Sequence, residues 1–394
     1  MSGAIGKVKG YRVVIDNYDV TDATIGCKIF HDMQSTSWSA QVFFMDTSDL
    51  LTSLPITSGS KIKIMLETKH NVPTDMKKEF EFVIYRIGDK SMQGQQTLMY
   101  TAFAGSADFV KNLSTRISRN FKNKKMTDCI RSVINDTFPN MKVDGIPCDN
   151  NASLIIPNWT PYNSVGWMLK MAHVNSRADF LMFQTEQDTY TVDSILNCFT
   201  KSAGDITLKV RPSNIKDIPD PEDVYNIFKH EIHRADASIN MSSGYYGNTL
   251  KTFDFRTKKW DVKEYKTSEK KNWSGDEFDN STQSVVKFRP KAQGVNGDNI
   301  SPSDDAEIWV QSRMASLLNL EQEKLIACIP GTVGCYKWLG KTINVDLPNQ
   351  VVMINSPKNI KQSGRYLVTS VVHNYDRQTY TNTIELVRRS TEPW

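Results

Sequence analysis

FEFVIYRIGDKSMQGQQTLMYTAFAGS (80–106) and SGRYLVTSVVHNYDRQTYTNTIELVRRS (363–390) read as one object written twice. Each begins with an alternating apolar run, passes through a polar stretch and ends in a second such run. Period-two alternation marks a strand with one buried face. Two such runs around a polar link make a strand–loop–strand unit. Slid by 284 positions, Phe82 falls on Tyr366, Ile84 on Val368, Ile87 on Val371, Tyr100 on Ile384 and Phe103 on Val387. The preceding stretches match as well: SGSKIKIMLET (58–68) and LGKTINVDLPN (339–349) both place a glycine before an alternating strand. The pattern predicts an internal duplication of one antiparallel β-domain. In the later unit Tyr366, Val368 and Ser370 are expected on one face and Leu367, Thr369 and Val371 on the other. HNYDRQTYTN is then the loop.

Around these units the chain predicts an α+β, mainly β protein with two antiparallel β-barrel domains. Residues 11–105 are short β-branched and aromatic runs separated by Asp, Asn, Gly and Ser, the pattern of a barrel or sandwich, so 1–106 is the first barrel. Residues 107–204 form an α+β module. MTDCIRSVINDTF (126–138) has helical spacing with Thr127 as N-cap, and PYNSVGWMLKMAHV (161–174) is a helix capped near Asn163 or Ser164. ADFLMFQTEQDTYTVDSI (178–195) is a hairpin turning at TEQD. The second barrel comprises 205–240 plus 326–390, with a linker or turn at DIPDPED (217–223). Between its parts lies a polar insertion, 241–325, with a helix at 303–325 whose first turn holds Asp304, Asp305 and Glu307.

Composition narrows the function. The 394 residues are 39% hydrophobic and 23% charged, enough apolar material for two or three domains. Forty-eight Lys and Arg against 44 Asp and Glu leave +4, too mild for a binder that relies on phosphate neutralisation. The start holds no apolar signal region, and no run approaches the ~20 residues that span a bilayer. Synthesis in a cytoplasm without membrane insertion is therefore expected. The six cysteines form no C-x-x-C pair and read as buried thiols. GTVGCYKWLGKT (331–342) ends like a phosphate loop, but Cys335 stands where its first glycine belongs and an alternating strand follows. His230 and His233 lie three apart in strand-like sequence with no third ligand near. No nucleophile elbow or framed cysteine is present, so no catalytic, cofactor or metal residue is assigned. The basic aromatic run 251–273, with Phe255, Lys258, Lys259, Trp260, Tyr265 and Trp273, is read as a partner-contact surface, together with His373, Tyr375 and Arg377 of the closing hairpin. A glycan or nucleic-acid surface is the alternative for that run.

GKTINVDLP (340–348) followed by GRYLVTSVVHNYDRQTYTNTIELVRR (364–389), and WTPYNSVGWMLKMAHVNSRADFLMFQTEQDTYTV (159–192), resemble the central baseplate hub proteins of contractile-tailed bacteriophages. These are similar to the hub part of type VI secretion spike proteins. The order β, α+β, then β split by an insertion extends the resemblance over nearly the whole chain. It implies a non-enzymatic homotrimer in the virion baseplate, with two tube-like domains per chain and hence pseudo-six-fold symmetry. The implied partners are a trimeric central spike, a hexameric tail tube or tube-initiator protein and a tape measure protein, with DNA only as passing cargo. Some hubs carry a wall-degrading domain, for which no residues remain here. A particle-borne cell-wall hydrolase is the competing enzymatic reading.

Overall fold

The computed structural model describes residues 8–388 except 47–53, 69–76, 94–96, 146–147, 149, 176, 211–224, 235–236, 255–256, 267–284, 292–305, 349–358, 360–361 and 378. DIPDPED therefore lies outside the described residues. The fold is α+β and mainly β. Fourteen of its strands share one sheet.

The first half supplies β1 (Val8–Ile15), β2 (Tyr18–Asp19), β3 (Thr24–Asp32), β4 (Ser39–Asp46), β5 (Lys61–Thr68), β6 (Lys77–Gln93) and β7 (Thr97–Gly105). Strict alternation buries Ile62, Ile64 and Leu66 of β5 completely, each contributing roughly 1.5–3 kcal/mol. The α+β module follows: α1 (Ala107–Ser114), β8 (Ile117–Lys125), α2 (Met126–Thr137), β9 (Lys142–Gly145), β10 (Asn151–Trp159), α3 (Pro161–Met171), β11 (Phe180–Glu186), β12 (Thr189–Ser194) and α4 (Ile195–Thr200). Both expected helices form, with different caps. Thr160 caps α3 by accepting from the Asn163 amide, and Pro161 takes the first turn, where its missing N–H costs nothing. Lys125 precedes α2 without a side-chain cap, since its ammonium has no acceptor, and Thr127 lies inside the helix with its hydroxyl against Cys148.

The second half is β13 (Ser202–Val210), β14 (Asn226–Ile227), β15 (Lys229–Arg234), β19 (Glu323–Pro330), a 3₁₀ turn (Val333–Trp338), β20 (Thr342–Asp346), β21 (Gly364–Asp376) and β22 (Tyr380–Val387). Inserted before β19 are α5 (Ala237–Ser243), β16 (Gly247–Asp254), β17 (Lys259–Lys266), β18 (Val286–Lys291) and α6 (Ala306–Asn319). The last helix is shorter than the expected 303–325. It ends in a turn over 320–322, where the Leu320, Glu321 and Gln322 amides donate to the carbonyls three residues before them, and β19 starts at Glu323.

The two halves run through the same strand order. In the first, β3-β4-β7-β6-β5 are successive antiparallel neighbours; in the second, β15-β19-β22-β21-β20 are. Both long hairpins carry a bulge at the same place, between Ile84 and Arg86 and between Val368 and Ser370. Both entry turns match: Gly59 donates to Ile84 O and Gly340 to Val368 O, at positive φ of 106° and 72°. The sixth strands differ, since β1 is antiparallel to β5 whereas β13 is parallel to β20.

This register corrects two expectations. The 284-residue slide holds for Phe82, Ile84 and Ile87 but not beyond the loop. Ile384 takes the position of Ala102, not of Tyr100, and Glu385 that of Phe103, because the first hairpin is longer and has a further irregularity between Gly88 and Ser91. Nor do faces alternate strictly through β21. The bulge turns Val371 to the same core as Tyr366 and Val368, while Leu367 packs the opposite face.

The paired glycines differ in surroundings. A Cβ on Gly59 meets nothing within 4 Å, whereas on Gly340 it lies 2.7 Å from the Phe183 ring. Gly59→Ala is expected to cost about 1 kcal/mol of backbone strain, and Gly340→Ala about 2–4 kcal/mol as overpacking is added. Urea midpoints of the two variants check the order; equal midpoints would contradict it.

Candidate assembly surfaces

The closing hairpin offers less surface than its polar sequence suggests. β21 continues to Asp376 and β22 starts at Tyr380, so most of HNYDRQTYTN is strand. His373 does not reach the surface. It is fully buried, accepts at Nδ1 from the Asn382 amide at 2.9 Å and shares a 2.7 Å bond with the Tyr380 hydroxyl. Asn382 in turn accepts from the Thr332 amide. Burial holds the His373 imidazole down at a pKa of about 3. Tyr375 is half-buried and stacks on Tyr11 with centroids 3.8 Å apart. Arg377 is exposed, but its guanidinium donates to Asp22 O and Thr24 O, tying the hairpin end to the start of β3.

The insertion places the other expected residues on a three-stranded sheet, β17-β16-β18. One face packs on α6: Leu250 meets Ala306 and Val310, and the Tyr265 hydroxyl donates to Glu307 O at 2.7 Å. Tyr265 therefore turns inward, and burial beside Glu307 pushes its pKa up to about 12. The opposite face carries Phe253, Trp260, Val262, Val286 and Phe288, with Trp260 60% and Phe288 58% exposed. Trp260 lies 4.8 Å from Phe253 and 5.9 Å from Phe288 between ring centroids. Lys258 and Lys259 are exposed at the adjoining turn, where Lys258 takes a positive φ of 55°. Phe255 and Trp273 lie outside the described residues. The structure thus brings Lys258, Lys259 and Trp260 together and adds Phe288, which the run 251–273 did not include.

Of the strand edges left open among the described residues, two hold places that the internal repeat relates. β15 pairs with β19 along one edge only, and its side chains are exposed except half-buried Ile232. β6 pairs with β5 from Lys77 to Val83 and reaches Ser60 at Ile84; beyond Arg86 that edge has no described strand against it. At the equivalent place on β21 the edge is occupied by β3, from Ser370 opposite Asp32 to Asp376 opposite Gly26.

That β3–β21 seam has an aromatic interior. His31 is fully buried with its ring 4.5 Å from Trp38 and 5.1 Å from His373, both edge-on. Phe80 and Tyr336 close the cluster. Neither nitrogen of His31 has a hydrogen-bond partner. Trp38 also anchors the α+β module: its indole N–H donates to Gln184 O at 2.8 Å and its amide to the Gln184 side chain at 2.9 Å. Sequence patterning missed this cluster, although WSAQVFFM shows that Trp38 opens a strand. Five cysteines are buried and Cys328 is half-buried, all as free thiols. Among the described residues no three His, Cys, Asp or Glu side chains converge on a metal position, and no helix is long and apolar enough to cross a membrane.

No family model matches the sequence, and no curated protein is similar to it. Solved structures do match in fold. The 43 kDa tail protein of prophage MuSo2 from Shewanella oneidensis aligns over 97% of this chain and 98% of its own, with a TM-score of 0.58 at 12% identity. A tail protein from Neisseria meningitidis aligns over 96% and 97%, with a TM-score of 0.55 at 12% identity. The Escherichia coli c3393 protein aligns over 98% of this chain and 78% of its own, with a TM-score of 0.50 at 9% identity. It is described as a type VI secretion component with structural similarity to the T4 tail proteins gp27 and gp5. The chain shares the fold of these proteins over nearly its whole length.

Proposed function

We propose that this chain is a phage baseplate hub, a homotrimer that joins a hexameric tail tube to a trimeric central spike. The observation that carries the reading is the strand order repeated within one sheet, with its matching bulge and entry glycine. A three-fold spike and a six-fold tube cannot match surface to surface. Three chains of two similar modules present three equal surfaces at one end and six similar ones at the other. The modules are 1–106 and 205–240 plus 326–390, with 107–204 and the insertion 241–325 outside the ring. The ring encloses the channel for tape measure and DNA. The likeness of fold to phage tail proteins supports this reading, and the chain acts in it as a structural part without catalysis. Interfaces of such an obligate ring bury on the order of 2,000 Å² or more.

Sedimentation equilibrium is expected to give three times the 44.8 kDa chain mass. A strict monomer at every concentration, inert towards tail tubes and spikes from the same particle, would overturn the reading. A turbidity assay on peptidoglycan separates it from the hydrolase: lysis abolished by one carboxylate-to-amide substitution would favour the enzyme.

A further inference from the structure

We infer that the two open edges are each other's partners: β15 of one copy adds to β6 of the next, in the register that β3 already makes on β21. The inference rests on the trimer reading and specifies its interface.

The derivation uses only the internal repeat. Through their pairing to β4 and β19, β3 and β15 hold equivalent places, with Phe30 matching His233. Through the shared bulge, β6 and β21 hold equivalent places, with Gly88 matching Val372. Within the chain Phe30 lies opposite Val372. Carried to the neighbouring copy, that pairing puts His233 opposite Gly88 and Arg234 opposite Ile87.

Burial points the same way. Cys27, Ile29 and His31 of β3 are fully buried beside β21, whereas their counterparts His230 and Arg234 are exposed and Ile232 only half-buried. The face that β3 has lost to a neighbour, β15 still offers. An open edge presents a row of unpaired N–H and C=O groups that accepts another strand. The Lys, His and Arg side chains of β15 discourage pairing with copies of itself. The contact is head-to-tail, so it closes a ring only if its rotation permits. Each chain holds one such seam internally, and three copies then complete six.

The test is disulfide trapping in the full chain. Gly88→Cys with His233→Cys places two thiols across the inferred ladder; the new Cβ at Gly88 meets only the mobile end of Arg86. Mild oxidation is expected to give covalent dimers and trimers and nothing larger. Each single variant, with the native cysteines alone, is expected to give none. Tyr85→Cys with His233→Cys is three positions out of register, about 10 Å along the strand. That exceeds the roughly 4–7 Å between Cα atoms that a disulfide spans, so this pair stays uncrosslinked. If the wild type sediments as a trimer but the in-register pair traps no better than the out-of-register pair, this interface is wrong and the trimer stands. A ladder beyond trimers also overturns it. A wild-type monomer removes both readings together.

Discussion

Trp38→Ala is expected to lower unfolding stability by about 3–5 kcal/mol, the usual cost of removing a large buried aromatic. Trp38 is 1% exposed, so its whole indole becomes cavity. The variant also leaves the Gln184 carbonyl without its indole partner inside the protein, which adds the cost of an unsatisfied buried acceptor. Three parts of the molecule meet on this side chain. Phe80 belongs to the first half, Tyr336 to the second and Gln184 to the α+β module. Loss of the ring should therefore split the unfolding transition as well as shift it, with the module and the first half melting separately. Trp38→Phe keeps most of the apolar area and loses only the indole donor, so about half the effect and a single transition are expected. Calorimetry checks both. A Trp38→Ala midpoint within about 2 °C of wild type would show that the seam does not depend on this residue.

The sequence carried the strands well because most alternate cleanly. Residues 61–66 show their buried face at every second position, and the structure has a strand there. It carried the repeat in outline and mistook its detail. A bulge leaves no mark in a list of residue types, so the face change after Val368 and the displaced match of Ala102 with Ile384 were not legible. Polarity misled at the closing hairpin for a physical reason. The Asn382 amide donates to His373 Nδ1 across β21 and β22, although His373 Nε2 has no partner, so two polar residues sit in a core that composition assigns to a loop. At the insertion, Trp260 is as exposed as its polar neighbours suggested, but Tyr265 belongs to the opposite face and Phe288 lies some thirty residues away on a parallel strand. The open edges were the least legible. KHEIHR looks like any charged strand, and only its pairing on one side shows what is missing from the other.

The same seam should make the chain acid-labile in a way one substitution lessens. His31 and His373 are fully buried, and desolvation holds both imidazoles below the ordinary histidine range, His373 to about 3. Around them stand Lys78 on β6, Tyr336 on the 3₁₀ turn and Tyr380 on β22; Lys78 is 3.3 Å from Glu186. Lys78 and the second histidine both oppose a charge on His31. A folded-state pKa below the unfolded value of about 6.5 means that the unfolded chain binds the extra proton first. The stability is thus present above pH 6.5 and is lost as pH falls towards the folded value. At about 1.4 kcal/mol per pH unit, His373 alone accounts for about 2–3 kcal/mol by pH 4.5. Exposed His230 and His233 lack such burial. His31→Phe keeps an aromatic ring against Trp38 and removes two unpartnered nitrogens. At pH 7.5 it is expected to be neutral or stabilising by about 1 kcal/mol, since an unsatisfied buried polar group is replaced by an apolar one. Between pH 6.5 and 4.5 its melting temperature should fall less steeply than that of the wild type, while carboxylate titration affects both alike. Parallel curves would mean that the seam tolerates the proton and that acid acts elsewhere. A shallower curve for the variant would place the acid-sensitive step at the β3–β21 contact, the contact that joins the two halves of the sheet.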